Sequence, residues 1–251
     1  EALGRHLPTP EQVAVIEAPV APLLVVAGAG SGKTETMAGR VVWLVANGLV
    51  APEAVLGLTF TRKAAAELAE RIRSRLRALH RCGLGPEPEP VTVATYHSYA
   101  ASVLTDHGLR LGVEPGARVL GEAGAWQLVD ELVERWDGDM SGVESSRRTV
   151  VDAVLALAGE CAEHLVDCED VDAALAAVVE QAVVLPRKDT DRAPGAPMAK
   201  VRDILERLAA RRRLVPLVRA YVERKRQAEV LDFGDQVALA ARLARDVPAV
   251  G

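Results

Sequence analysis

The sequence has few cysteines and no long apolar run. Its three cysteines are too few for a disulfide framework, which excludes a small disulfide-stapled domain. No window approaches about 18 uninterrupted apolar residues, and the opening segment EALGRHLPTPEQ lacks the basic-then-apolar shape of a signal peptide. We therefore expect a cytoplasmic protein without a membrane partner. A chain of 251 residues suffices for one large or two modest domains.

The sequence also lacks an excess of basic charge. It has 30 Lys and Arg against 35 Asp and Glu, a net charge of −5, which argues against a protein that coats nucleic acid non-specifically. The charges are unevenly distributed, because residues 59–81 carry seven basic and two acidic side chains, whereas residues 114–191 carry six and eighteen. Residues 199–229 are basic again, with ten against four. This pattern is compatible with binding of a polyanion on selected surfaces only.

Three potential metal ligands, Cys161, His164 and Cys168, could lie near one face of a helix, at offsets of three and four residues. Three ligands leave a tetrahedral site incomplete unless a distant fourth ligand joins them. We therefore interpret the two cysteines as ordinary buried thiols.

The most informative segment is LLVVAGAGSGKT, residues 23–34. The apolar Leu23–Val26 predicts a buried strand, and Lys33 and Thr34 open a helical pattern after a turn of small residues. The turn consists of Gly28, Ala29, Gly30, Ser31 and Gly32. A strand, a glycine-rich turn and a helix N-terminus form an anion cradle, whereas the alternative is a chance Gly/Ala-rich turn. In such a cradle Lys33 reaches the β- and γ-phosphates of a nucleotide and the Thr34 hydroxyl binds Mg²⁺. Ala27 replaces the first glycine of the general G-x-x-x-x-G-K-[ST] pattern.

Two further apolar segments, Val55–Phe60 and Val91–Thr95, predict strands. Ligand-binding residues of parallel α/β sheets lie at the carboxyl ends of the strands. The residues at these two exits are Thr59, Thr61, Arg62, Lys63, Thr95, Tyr96, His97, Ser98 and Tyr99. The tyrosines fit either core packing or a stacking platform for nucleobases. We interpret the arginines of the predicted helix 63–80 as a solvated face; they are Arg71, Arg73, Arg75 and Arg77.

Alternation of strands and helices up to about residue 107 predicts half of an α/β domain with a parallel sheet. Residues 108–227 predict a mostly helical second domain, in which Pro216 should kink or end a helix. The predicted helices are Glu122–Trp136, Thr149–Val166, Val171–Leu185, Ala199–Ala228 and Gln236–Arg245, with a hint of a strand at Arg118–Leu120. The Pro/Gly-rich segment 186–197 predicts a mobile connection.

A P-loop ATPase needs a second, acidic motif, an apolar strand that ends in Asp or Asp-Glu and holds Mg²⁺. Asp130 and Glu131 lie inside an amphipathic helical pattern, and Asp232 and Asp235 have no preceding apolar strand in the sequence. The sequence also shows no arginine-finger motif, and its predicted sheet has only three strands. We therefore expect the chain to be the N-terminal fragment of a longer protein.

Four motifs in this order and spacing, AGAGSGKT, LTFTRKAAAELAERI, VATYHSYA and VLDFGDQ, resemble the superfamily 1A DNA helicases of the UvrD/Rep/PcrA type. The segment LPTPEQVAVI is similar to that family's N-terminal glutamine motif. The resemblance implies a P-loop NTPase (RecA-like) α/β half-domain with a mostly helical inserted subdomain. Subdomain 1A would span residues 1–107, subdomain 1B residues 108–227, and residues 228–251 would return to 1A before its acidic strand.

The resemblance also implies roles for single residues. Gln12 would read the adenine edge of ATP, and Gly28–Thr34 would bind its triphosphate with Mg²⁺, Lys33 and Thr34 acting in catalysis. Glu35 stands where many relatives carry Arg near the nucleotide, so local contacts should differ. The residues implied to contact single-stranded DNA or a single-strand/duplex junction are Thr59, Phe60, Thr61, Arg62, Lys63, Tyr96 and His97.

The leading hypothesis is the ATP- and DNA-binding part of a helicase or translocase that acts in DNA repair or recombination. Within the family, TPEQVAVIEAP, KTETMAGRVVWLVANG and GLTFTRKAA are most similar to one motor subunit of a heterodimeric helicase–nuclease, which implies a second subunit as partner. Alternatives are a non-catalytic nucleotide-sensing DNA-binding module and a small-molecule P-loop kinase. The missing acidic motif and the Tyr96-His97 pair disfavour the kinase.

Overall fold

Apolar periodicity and capping side chains define helices and short strands along most of the chain. The computed structural model describes residues 7–84, 87, 89–141, 143, 146–184 and 199–250. The helices are α1 (Pro10–Ile16), α2 (Lys33–Ala46), α3 (Arg62–Arg81), α4 (Tyr96–His107), α5 (Glu122–Glu134), α6 (Arg147–Glu163), α7 (Cys168–Val184), α8 (Ala199–Gln227) and α9 (Phe233–Asp246). The strands are β1 (Leu56–Thr59), β2 (Thr92–Thr95), β3 (Arg118–Val119) and β4 (Val230–Leu231). The chain divides into two compact units, residues 1–99 and 100–251.

Several helix ends are set by residues next to them in the chain. Thr9 caps α1 and forms a capping box with Gln12, and Pro10 occupies its first turn. Helix α2 begins at Lys33 and ends at Ala46, before Asn47 and a left-handed Gly48. These ends depend on neighbouring residues alone, which is why local sequence predicts them.

The first unit is built on a parallel pair of strands. β1 and β2 pair in register from Leu56 opposite Thr92 to Thr59 opposite Thr95. Helices α2 and α3 pack together through buried apolar side chains, and partly buried Val91 and Val93 lie against the same core. The fully buried members are Ala38, Val42, Val45, Leu68, Ile72 and Leu76. The predicted parallel strand–helix pattern is therefore confirmed for these two strands.

The prediction of a buried strand at Leu23–Val26 is wrong for this structure. These residues have no strand assignment, and Leu24 and Val26 are 86% and 89% exposed. Within the described residues β1 and β2 bond to each other, and neither takes this segment as a neighbour. A strand requires a hydrogen-bonded neighbour, which an apolar run cannot supply by itself.

The second unit is mostly helical, as the sequence predicts. Its core is formed by α5, α6 and α8, and β3 pairs in parallel with β4 at its side. Pro216 does not end α8, which continues through it to Gln227. The flanking Leu214, Val215, Leu217 and Val218 are all buried, and this packing holds the helix together across the missing amide donor.

One prediction for this unit changes, because the three potential metal ligands are divided between elements. α6 ends at Glu163 and α7 begins at Cys168, so Cys161, His164 and Cys168 do not share one helix. Both thiols pack against the core, and burial raises the pKa of each. This environment supports the interpretation as ordinary thiols, since the thiolate is disfavoured. The predicted connection 186–197 lies outside the described residues.

No helix in the described ranges combines the length and apolar character that crossing a membrane requires.

Candidate nucleotide and nucleic-acid site

The loop between residue 27 and α2 is the predicted anion cradle, and two of its glycines have a left-handed backbone. Gly30 and Gly32 have left-handed φ values of 76° and 78°. A Cβ on Gly32 would lie 2.9 Å from the side-chain nitrogen Nε2 of Gln12. Gly32 is the N-cap of α2 and has no side chain with which to cap the first amides of the helix. Those amides, together with the helix dipole, favour a bound anion.

Ala27 fits the loop although the general pattern has glycine at this position. Positive φ among the described non-glycine residues occurs at Leu165 and Glu229 only, so Ala27 has an ordinary backbone conformation. An alanine therefore introduces no strain here, and the departure from the pattern leaves the cradle intact.

The Lys33 side chain folds onto the loop that precedes it. Its ammonium group donates to the carbonyl oxygens of Ala27 at 3.1 Å and Gly28 at 2.6 Å. Ser31 Oγ also donates to Gly28, at 2.8 Å, which closes the turn. A positive charge thus lies at the Ala27–Gly28 end of the loop. Thr34 follows in the first turn of α2 and is exposed.

Gln12 contacts the same loop from α1. Its Oε1 accepts from the Thr9 amide at 3.1 Å, and its Nε2 donates to the Ser31 carbonyl at 3.1 Å. One side chain therefore completes the α1 capping box and holds the glycine-rich turn. The structure places Gln12 at the cradle, whereas its predicted adenine contact stays a prediction.

Arg40 is a supporting residue that the sequence reasoning missed. Its guanidinium donates to the carbonyl oxygens of Val15, Ile16, Ala18 and Pro19 at 2.8–3.3 Å. These residues join α1 to the segment that leads into the cradle, so Arg40 fixes where Gln12 lies. The sequence gives little indication of this role. Arg40 lies seven residues after Lys33 in a helical pattern, where an arginine is ordinarily a solvated side chain.

The two strand exits meet at one edge of the first unit. Because Thr59 lies opposite Thr95, the residues that follow each strand emerge side by side. The rings of Phe60 and Tyr96 lie 5.6 Å apart at an interplanar angle of 43°. Phe60 is 92% exposed and Tyr96 46%, so this aromatic pair presents π faces to solvent rather than to the core. Exposure favours the stacking-platform interpretation over core packing.

Polar residues follow each member of the aromatic pair along the chain. Arg62 and Lys63 are exposed in the first turn of α3, and His97 is exposed in the first turn of α4. Thr61 caps α3 by accepting from the Ala64 amide at 3.1 Å, while Thr59 Oγ1 donates to the Thr61 carbonyl at 3.1 Å. The exit thus combines exposed cations with exposed rings, and its two threonines order the turn between them.

The arginines of α3 do not form one solvated face. Arg73 is exposed and pairs with Glu70, as expected, but Arg75 is 5% exposed and, like Arg71, binds Glu35 on α2. Helical spacing alone could not reveal this, because residue 75 turns toward a carboxylate that lies forty positions away.

The acidic residues Asp130 and Asp232 form hydrogen bonds and ion pairs within the second unit. Asp130 lies within α5 as predicted and binds Arg147. Asp232 directly follows β4, so the expectation that no strand precedes it is wrong, but its carboxylate caps α9 and binds Lys225 and Tyr221. Among the residues the structure describes, no group of three or more His, Cys, Asp or Glu is arranged to hold a metal ion.

Comparison with known proteins identifies a family and relatives. Residues 8–250 match the family model described as UvrD/REP helicase N-terminal domain. The chain is 34% identical over 136 residues to a probable DNA helicase II homologue of Rickettsia conorii. It is 33% identical over 125 residues to the ATP-dependent DNA helicase PcrA of Bacillus subtilis, and 30% identical over 143 residues to PcrA of Staphylococcus aureus.

These alignments cover part of each protein. They include 53%, 50% and 57% of this chain, and 19%, 16% and 18% of the respective relatives. The chain therefore spans only a minor part of the length of the curated relatives that it matches.

Proposed function

Because the chain belongs to the UvrD/REP helicase N-terminal domain family, we propose that it is the ATP- and DNA-binding N-terminal part of a DNA helicase or translocase. One observation carries this proposal: a single compact unit holds both the glycine-rich loop before α2 and an exposed aromatic pair at two parallel strand exits. A P-loop NTPase fold agrees with this combination. DNA repair or recombination is the proposed setting, in the cytoplasm.

The loop would bind the triphosphate of ATP. The left-handed Gly30 and Gly32 open the turn, the first amides of α2 would donate to phosphate oxygens, and the Lys33 ammonium would neutralise their charge. Gln12, held on the Ser31 carbonyl, would read the adenine edge. Mg²⁺ fits this loop only as an ion carried by the nucleotide, since Thr34 offers a single hydroxyl ligand.

The strand exits would bind single-stranded DNA. Bases stack on aromatic faces without sequence preference, and Phe60 and Tyr96 offer such faces beside Arg62, Lys63 and His97. The cations would pair with backbone phosphates, which makes affinity dependent on salt.

We further propose that residues 1–251 lack the acidic strand that ATP hydrolysis requires. The 251-residue chain alone would bind ATP weakly and hydrolyse essentially none. Subdomain 1A over residues 1–107, subdomain 1B over 108–227 and a return to 1A over 228–251 remain part of this proposal.

A finer proposal concerns the whole protein. We propose, from the segments around Gln12, Lys33 and Thr61, that the whole protein is a motor subunit of the AdnB type, with the second subunit of an AdnAB-like helicase–nuclease as its partner.

Phe60→Ala is expected to weaken binding of single-stranded DNA by about 1–3 kcal/mol, because one stacking surface is lost. The melting temperature should not change, since Phe60 is 92% exposed. The slope of log affinity against log salt should also stay unchanged, whereas Arg62→Ala should reduce that slope by about one phosphate contact. Fluorescence anisotropy of a labelled oligothymidine at several salt concentrations measures both quantities.

Leu109→Ala serves as the matched control, because Leu109 is an exposed apolar side chain, 64% accessible, in the second unit. It should leave DNA affinity unchanged. Equal affinity of Phe60→Ala and the wild type would contradict the stacking role and leave the proposed DNA track without its aromatic platform.

A further inference from the structure

Glu35, in the first turn of α2, binds two arginines of α3. Its Oε2 accepts from Arg71 Nη1 at 3.1 Å, and its Oε1 accepts from Arg75 Nη2. Arg75 Nη1 also donates to the Glu35 backbone carbonyl at 3.4 Å. We call these three residues the Glu35 cluster. It joins α2 and α3 by charge at a place where their neighbouring contacts are apolar.

The Glu35 cluster contains a buried cation. Arg75 is 5% exposed, and its Nε is buried without a hydrogen-bond partner in the described part of the chain. Glu35 and Arg71 are each 41% exposed. A buried guanidinium is costly, and an apolar side chain would fill a helix interface at lower cost. We therefore infer that the main effect of the cluster is to fix one register of α2 on α3, rather than to stabilise the fold.

Both helices of the cluster begin at a functional end. α2 begins at Lys33, two residues before Glu35, and α3 begins at Arg62, directly after the β1 exit. Arg71 lies nine residues beyond Arg62, about 13 Å along a rigid helix. A movement of the first turn of α2 would therefore act on α3 through charged contacts that lie close to the loop and are joined to the exit by the rigid N-terminal half of α3.

We propose that Glu35 is a positioning residue that couples occupancy of the phosphate loop to the position of the DNA contacts at the β1 exit. This inference rests on the proposed function, and it assigns to Glu35 a role away from the nucleotide. Coupling of this kind is reciprocal, so DNA bound at the exit would likewise favour the loop conformation that binds ATP. Arg71 and Arg75 transmit the effect, and neither needs to touch either ligand.

The test compares Glu35→Gln with the wild type in the full-length protein, as ATPase rate with and without oligothymidine. The ratio of the two kcat values should fall at least about fivefold, the lower end of typical coupling between sites. The DNA-free kcat and the KM for ATP should not change. Glu70→Gln is the matched control, since Glu70 pairs with Arg73 on the exposed side of α3, and its ratio should equal that of the wild type.

Two further variants separate coupling from folding. Arg71→Gln removes the half-exposed partner while Glu35 still pairs with the buried Arg75, so it should fold and show part of the loss in ratio. Glu35→Arg combined with Arg71→Glu restores opposite charges between the helices, and the carboxylate introduced on α3 would also face Arg75 one helical turn further on. The double variant should recover the ratio that Glu35→Arg alone loses.

Three results would overturn the inference. An unchanged ratio in both Glu35→Gln and Arg71→Gln excludes coupling through the cluster. An equal loss of rate with and without DNA, accompanied by a lower melting temperature, assigns Glu35 a purely structural role. A wild type whose ATPase does not respond to DNA refutes the proposed function, and this inference with it.

Discussion

Lys33→Ala is expected to reduce the DNA-stimulated ATPase kcat of the full-length protein by about 10²–10³-fold or more, the effect of removing one preorganised charge stabiliser. The Lys33 ammonium lies 2.6 Å from the Gly28 carbonyl at the start of the loop, and in the proposed function it would stabilise the charge of the transferring phosphoryl group. Steady-state turnover at saturating ATP and oligothymidine measures the change.

Arg73→Ala is a suitable control, because Arg73 is an exposed cation of the same unit whose partner is Glu70. It should keep full turnover. The thermal midpoint of Lys33→Ala should match that of the wild type, since the Lys33 side chain is exposed. Turnover retained by Lys33→Ala would remove the loop from the active site and refute the proposed ATPase role.

The second large effect is expected from Asp232→Ala, which should lower the free energy of unfolding of the 251-residue chain by about 3–5 kcal/mol. The Asp232 carboxylate accepts from Lys225 Nζ at 2.6 Å and from Tyr221 at 2.9 Å, and it caps α9. Lys225 is 4% exposed, so the variant leaves a buried ammonium with Asp235 alone, at 2.5 Å. Urea unfolding measured by circular dichroism gives the difference.

Asp167→Ala is the control for this variant. Asp167 also forms an ion pair with α9, through Arg242, but it is 66% exposed, and an exposed pair contributes at most about 1 kcal/mol. A similar loss in both variants would show that Asp232 acts only as another surface charge.

The same carboxylate gives a pH dependence with a defined sign. Burial by itself would raise the pKa of Asp232. The charge and hydrogen bond of Lys225, together with the amide of Asp235, outweigh burial and hold the pKa of this carboxyl below its ordinary value of 3.8. A lowered pKa in the folded state contributes stability above pH 3.8, which is lost as the pH falls through the folded-state pKa. The stability difference between wild type and Asp232→Ala should therefore shrink below about pH 4.

Much of the candidate site could be predicted from sequence, because its parts are local. The glycines, Lys33 and Thr34 follow one another, and the capping box of Thr9 with Gln12 spans four residues. Polar residues directly after Val55–Phe60 and Val91–Thr95 indicate strand exits in the same way. Such features depend on local backbone preferences and not on long-range contacts.

Other features depend on partners that are distant in sequence. The apolar Leu23–Val26 predicts a strand, but a strand needs a neighbour, and none pairs with it among the described residues. Arg75 follows a solvated helical pattern, yet it is buried because Glu35 lies opposite it. Arg40 is unremarkable in sequence, yet it holds four carbonyl groups before the cradle.

The sequence by itself determined the glycine-rich loop with Lys33 and Thr34, the start of α2 and the family resemblance, since each depends on contiguous residues whose spacing is fixed by the chain. Only the tertiary structure decided that Phe60 and Tyr96 form an exposed pair, because the register of β1 on β2 sets that contact. It also decided that Glu35 forms ion pairs with α3 and that Asp232 forms an ion pair with Lys225. The partner of a charged side chain depends on tertiary packing, whereas helical periodicity indicates only the face of the helix on which the side chain lies.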